Sequence, residues 1–201
     1  MEIGKRKGVA VTSKLLEAKS LSHAYDKNRL FHDISFSVSP SQIYQITGPN
    51  GCGKTTLLKC LAGLLIPILG RVCRHAPCQF LSGQSWQSDA LTVKQTFEFW
   101  AAYYRQDISF VIKEFDFEKI LDKPLDVLSQ GQKQRLAFSR LLLADTGLWL
   151  LDEPTACLDE KWANKVYEKM QQHLHGGGGI VVVSHEKLFF KPTEINLEND
   201  R

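Results

Sequence analysis

Nine consecutive residues, Gly48-Pro49-Asn50-Gly51-Cys52-Gly53-Lys54-Thr55-Thr56, have the types and spacing to hold phosphate. A phosphate needs several N–H donors pointing inward and no side chains in the way. Glycines at 48, 51 and 53 allow such a wrapped backbone. Lys54 is then placed to reach the β- and γ-phosphates of ATP, the Thr55 hydroxyl to ligate Mg²⁺, and Thr56 to add a hydrogen bond to phosphate. The spacing GxxxxGK[ST] identifies nucleotide binding when a strand precedes it and a helix follows; by itself it identifies no family.

A second group of chemical residues closes the apolar run of Leu148-Trp149-Leu150-Leu151-Asp152-Glu153-Pro154-Thr155. Two carboxylates at the end of a buried strand are costly unless they do work. Asp152 is expected to hold Mg²⁺, directly or through water, and Glu153 to polarise the attacking water. Ser129, with Gln132 three residues on, has the form of a capping box that opens a helix. His185 follows another apolar run, Ile180–Val183; alone, a histidine there reads as structural more readily than as functional.

These groups need a scaffold that brings strand ends together. Gln42–Thr47 is a short β-prone run leading straight into the glycine loop, and Leu57, Leu58, Leu61, Ala62 and Leu65 recur at helical spacing over Lys54–Leu65. Leu15–Ser39 mixes short apolar runs with turn residues, the pattern of an antiparallel β region. Residues 92–121 read as helical, with Thr92 as cap and Val93, Phe97, Trp100, Ala101 and Tyr104 on one face. A further helix begins around Ser129. Leu148–Leu151 and Ile180–Val183 read as buried parallel strands, and Lys161–Leu174 as an amphipathic helix that Gly176–Gly179 breaks. The expected fold class is therefore α/β: a three-layer P-loop NTPase core with an antiparallel β subdomain and an inserted α-helical subdomain at about 85–145. With no internal repeat or linker, residues 15–201 read as one domain behind a flexible tail at 1–14.

Composition narrows the class further. The chain has 201 residues, 43% of them hydrophobic and 23% charged, close to an ordinary globular protein. A formal charge of only +3 gives no reason to expect a nucleic-acid partner, which would show a strong basic stripe. The longest apolar stretches are too short to span a bilayer, and the basic cluster Lys5-Arg6-Lys7 has no apolar segment after it, so no signal peptide is expected. Cys52, Cys60, Cys73, Cys78 and Cys157 form no CxxC pair and read as reduced thiols of a cytosolic compartment. Cys52, inside the phosphate loop, either fills a variable position or carries a thiol whose oxidation blocks nucleotide binding.

The run Leu128-Ser129-Gln130-Gly131-Gln132, followed by Lys133-Gln134-Arg135-Leu136-Ala137-Phe138-Ser139-Arg140, resembles the LSGGQ signature of ATP-binding-cassette (ABC) proteins. In that family the signature serine, a glycine N–H and the helix dipole meet the γ-phosphate bound by a second subunit, which the resemblance carries to Ser129, Gly131 and Gln132. Gln130 departs from the usual glycine, which puts the backbone freedom of that position in question. Ala156-Cys157-Leu158-Asp159 matches the D-loop, whose aspartate, here Asp159, organises the partner subunit's site. Gln84, in Phe80-Leu81-Ser82-Gly83-Gln84, matches the Q-loop glutamine that contacts Mg²⁺ and water, and His185 matches the switch histidine near the γ-phosphate. Tyr25 suits the aromatic that stacks on adenine, with core packing as the competing role. The motifs fall in family order, and the resemblance covers about residues 15–190.

By that resemblance the chain is an ATPase working as a homodimer, with two ATP molecules sandwiched between subunits, each site taking its phosphate loop from one copy and its signature from the other. Transport then requires separate integral membrane permease subunits. Contact with the membrane is indirect, from the cytoplasmic side of the inner membrane. The aromatic stretch Phe97–Tyr104 reads equally as core packing and as a docking groove for the permease. Small size, the run LSxGQxxRLAxSRL and the tight LWLLDEP resemble the ATP-binding subunits of the bacterial cytochrome c maturation system, often called the haem exporter. Thr155-Ala156-Cys157 departs from the Phe-Thr-Ala expected there. The alternatives are the ATPase of another exporter, for lipids, lipoproteins or drugs, and a non-transport ABC ATPase.

Overall fold

The computed structural model describes residues 14–25, 28–82, 91–144, 146–185, 188 and 190–197. The chain begins with strands β1 (Leu16–Tyr25) and β2 (Asn28–Val38), antiparallel in the register Leu16↔Val38 to Tyr25↔Asn28. β4 (Leu69–Arg74) pairs with the other edge of β1, which completes a three-stranded sheet in the order β2-β1-β4. A second, five-stranded sheet has the order β5-β6-β7-β3-β8. It is built from β3 (Ile43–Thr47), β5 (Cys78–Leu81), β6 (Leu148–Asp152), β7 (Gly179–Val183) and β8 (Thr193–Asn196), all paired in parallel.

The continuous apolar runs of β6 and β7 have their physical cause in this arrangement: every residue of both strands is buried, because both faces of a parallel sheet are covered. Alternation sorts the side chains between two layers. Ile46, Leu148, Leu150, Val181 and Val183 pack with Leu57, Leu58 and Leu61 of α1 (Lys54–Ala62). Ile43, Trp149, Leu151, Ile180 and Val182 pack with α4 (Gln130–Leu141) and α5 (Glu160–His175). That second cluster continues through Val93, Phe97 and Trp100 of α2 (Val93–Tyr104) and Val111 of α3 (Ser109–Glu114), so the helices between β5 and β6 share one core with the sheet.

Several boundaries differ from the sequence reading. The helix expected over 92–121 is three pieces: α2, α3 and a 3₁₀ turn at Glu118–Ile120. Arg105 ends α2 in the left-handed region at φ 54°, and Asp107 accepts the Ser109 N–H at 3.0 Å to start α3 afresh. α1 stops at Ala62 because Gly63 turns left-handed and satisfies the last carbonyls, leaving Leu65 outside the helix. The tail expected at 1–14 lies outside the described residues except for Lys14. Among the described residues no helix is long and apolar enough to cross a membrane.

Candidate functional site

β3 delivers the chain to the glycine loop, and α1 begins where the loop ends. Gly48 holds φ 141° with a would-be Cβ only 2.6 Å from the Leu197 carbonyl, and Gly53 holds φ 101° with its own 2.8 Å from Leu30 Cβ. Neither position accepts a side chain, so glycine lets the loop close against Leu197 on one side and Leu30 on the other. Lys54 Nζ donates to the Gly48 and Pro49 carbonyls, each at 2.9 Å. Cys52 is fully buried beneath the loop, so the packing role is the one its position supports.

Strand β6 brings the carboxylates to the same place. The Thr55 hydroxyl donates to Asp152 Oδ2 at 2.9 Å. Burial pushes the Asp152 carboxyl above its usual range, opposed by the Thr55 hydrogen bond and by Lys59 and Lys54. Glu153 sits at φ 50°, a left-handed conformation that costs a non-glycine residue about 1–2 kcal/mol. Its N–H donates to the Val183 carbonyl at 2.9 Å, which ties the turn to the end of β7. Burial raises the Glu153 carboxyl as well; the His185 N–H and the His185 side chain oppose the shift and Asp152 adds to it. Glu153 Oε1 is buried with no hydrogen-bond partner among the described residues, and His185 Nε2 lies 3.6 Å from it. A carboxyl held above its ordinary pKa, with one oxygen unpartnered, can take a proton from a water molecule.

These groups line one cleft of about 380 Å³, together with Asn50, Gly51, Gly53, Thr56 and, at its mouth, Tyr25. Tyr25 is 54% exposed, and its ring makes a T-shaped contact with His23, centroids 5.1 Å apart; its ring is not part of the core. A glycine loop at the start of a helix, an ammonium held by two backbone carbonyls, a hydroxyl–carboxylate pair and an orphaned carboxylate oxygen fit a Mg²⁺-bound nucleoside triphosphate. Gln84 lies outside the described residues.

The signature residues gather elsewhere. Ser129 caps α4: its hydroxyl accepts the Gln132 N–H at 3.2 Å while Gln132 Oε1 accepts the Ser129 N–H at 2.9 Å. Gln130 opens α4 without a positive φ, so the glycine usual there is not needed for backbone freedom. Gly131 is needed for another reason: a Cβ there would come within 2.7 Å of the Cys157 carbonyl. Asp159 accepts the Trp162 N–H at 3.0 Å and caps α5. A second cleft, of about 400 Å³, is lined by Ser129, Gly131, Gln132, Cys157 and Asp159. It shares no lining residue with the first. One chain thus displays the two groups of residues separately.

Sequence reasoning passed over the buried amides around the first cleft. Gln45 Nε2 donates to the Ser184 carbonyl at 3.0 Å, just ahead of His185. Gln134 Nε2 donates to the Glu153 and Pro154 carbonyls at 2.9 and 3.1 Å. The available signal was a glutamine on the apolar stripe of α4, one turn before the buried Phe138. Arg135 is also buried, stacked over Trp162 at 4.1 Å and donating to the Phe115 carbonyl.

Comparison with known proteins agrees with this geometry. A family model described as "ABC transporter" matches residues 31–156. The chain is 34% identical over 186 residues to the cytochrome c biogenesis ATP-binding export protein CcmA of Bartonella henselae, covering 87% of this chain and 89% of that one. It is 33% identical over 182 residues to the protein of the same name from Brucella abortus, covering 85% of each. Among solved structures it resembles the ATP-binding subunit of an ABC transporter, with 25% identity and a TM-score of 0.77 over 85% of this chain and 79% of that one. It shares its fold, at 23% identity and a TM-score of 0.80, with an ATP-binding cassette solved as a dimer in a post-hydrolysis state bound to ADP and Pi, covering 92% of this chain and 97% of that one.

Proposed function

The chain belongs to the ABC transporter family, and from that premise we propose that it is an ATP-hydrolysing subunit that works as a homodimer with separate membrane permease subunits. The observation that carries this reading is the division of the site: the phosphate loop with its carboxylates lines one cleft, and the capped start of α4 lines another. Each is half of a site for ATP, and a second copy of the chain supplies the missing half.

In this reading the N–H groups of residues 48–53 wrap the phosphates. Lys54 leaves the two loop carbonyls for the β- and γ-phosphates, and Tyr25 stacks on adenine at the cleft mouth. Thr55 and Asp152, already in contact, would hold Mg²⁺ together with Gln84; the ion neutralises phosphate charge when bound. Glu153 orients a water and takes its proton as the water attacks the γ-phosphate. His185, beside Glu153, steadies the same group. From the second copy, Ser129, Gly131 and Gln132 bring helix-start N–H groups to the γ-phosphate, and Asp159 sets the loop that holds them. Hydrolysis removes the group both halves share, so the pair opens.

The relatives' names place the work in cytochrome c biogenesis. The reading extends that to energising a haem-export or haem-chaperone release step, from the cytoplasmic face of the membrane. Glu153→Gln keeps the volume and removes the base. With ATP and Mg²⁺ it is expected to bind nucleotide and elute as a stable dimer on size exclusion with light scattering. Normal ATP turnover, or a monomer at saturating ATP, would sink the proposal.

A further inference from the structure

Glu153 holds a conformation that its own residue type disfavours, so something must fix it. Its N–H is bound by Val183, and its carbonyl accepts the Ala156 N–H at 3.2 Å. A further anchor comes from α4. Gln134 is 94% buried in contact with the turn, and its amide forks across the Glu153 and Pro154 carbonyls at 2.9 and 3.1 Å. Gly131, three residues earlier and so on the same face of the helix, lets α4 lie against the Cys157 carbonyl of the same loop. One turn of α4 therefore touches the loop from Glu153 to Cys157 at two points.

Building on the proposed function, we infer that Gln134 is a positioning residue for Glu153. Its two hydrogen bonds hold the left-handed turn and so aim the carboxylate at the attacking water. The same turn of α4 begins at Ser129, the end offered to a second copy's nucleotide. Seating of that nucleotide is thereby linked, through about 8 Å of helix, to the alignment of the base in the chain's own site. Gln134 touches neither nucleotide nor water in this arrangement, and its effect on hydrolysis passes through Glu153 alone.

The test is a double-mutant cycle in the full chain, with turnover and ATP affinity measured separately. Gln134→Met keeps the volume without donors; Gln134→Glu keeps the shape but faces the two carbonyls with an acceptor. Each is expected to lower kcat by about tenfold to a hundredfold, the range for a displaced catalytic group, with ATP affinity near that of the parent, while the thermal midpoint falls because two buried carbonyls lose their donor. In a Glu153→Gln background neither should lower the residual turnover further. A kcat within twofold of the parent for both variants overturns the positioning role, as does an equal further loss in the Glu153→Gln background. So does a loss of turnover matched by an equal loss of ATP affinity, which marks a merely structural residue. Normal turnover by Glu153→Gln alone instead overturns the assignment of the base, and the Gln134 proposal with it. Normal turnover by both Gln134 variants beside an inactive Glu153→Gln overturns the positioning role only.

Discussion

Tyr25 stands at the mouth of the nucleotide cleft with more than half its surface in solvent and its ring in T-shaped contact with His23. An aromatic ring left this open contributes little to folding and is free to stack on a base. Base–aromatic stacking is worth about 1–3 kcal/mol, so Tyr25→Ala is expected to weaken ATP binding about tenfold in a fluorescent-nucleotide titration, with the thermal midpoint unmoved. An unchanged affinity removes Tyr25 from the site. Other residues were legible in the sequence to the extent that their chemistry dictates their type. The glycines of residues 48–53, Lys54, Thr55, Asp152 and Glu153 could be read directly, because phosphate and carboxylate chemistry admit few substitutes. Gln134 was not, because a helical glutamine is ordinary until its two carbonyl partners are seen. The left-handed backbone of Glu153 was equally hidden, since nothing in a glutamate announces a positive φ.

At the scale of elements, the two covered strands β6 and β7 and the amphipathic α5 were written plainly in their apolar patterns. β4, β5 and β8 were not, because their residues are mostly exposed or half-exposed and carry no clean alternation. The break after α2 was missed because a left-handed arginine, not a glycine, makes it. His173 stacks flat on Trp149, at 3.9 Å and 5° between planes, and Gly178 makes room, since a Cβ there would lie 2.2 Å from the ring. Burial lowers the His173 pKa below the ordinary 6.5, a hydrogen bond with the Gly179 backbone opposing it. The unfolded chain therefore binds this proton first. The contribution of His173 is fully present above pH 6.5 and is lost as pH falls through the lower, folded value. His173→Asn is expected to flatten the fall in thermal midpoint between about pH 7 and 5, relative to the parent. Parallel curves for the two proteins would refute the linkage.

For the whole molecule, the separation of the two clefts makes a prediction that no single chain can satisfy alone. Lys54→Ala disables the phosphate-loop half and Ser129→Arg the signature half, so each protein by itself is expected to be inactive. Mixed in equal amounts, half the dimers would carry one intact composite site, and turnover should return to about a quarter of the parent's. A mixture as inactive as its parts rejects a shared site. The capping boxes at Thr92 and Ser129 both use glutamine where glutamate would cap as well, and the first turns of α1 and α4 hold no acid, while α5 opens with Asp159 and Glu160. α5, whose Asp159 also lines the second cleft, thus carries its own counterion, whereas α1 and α4 hold no acid in their first turns. In the proposed dimer, a triphosphate arriving between two copies would supply the counterion to both helix starts at once. Pairing of the proposed kind would then be a neutralisation, and ionic strength the solution variable expected to set how tightly the copies hold.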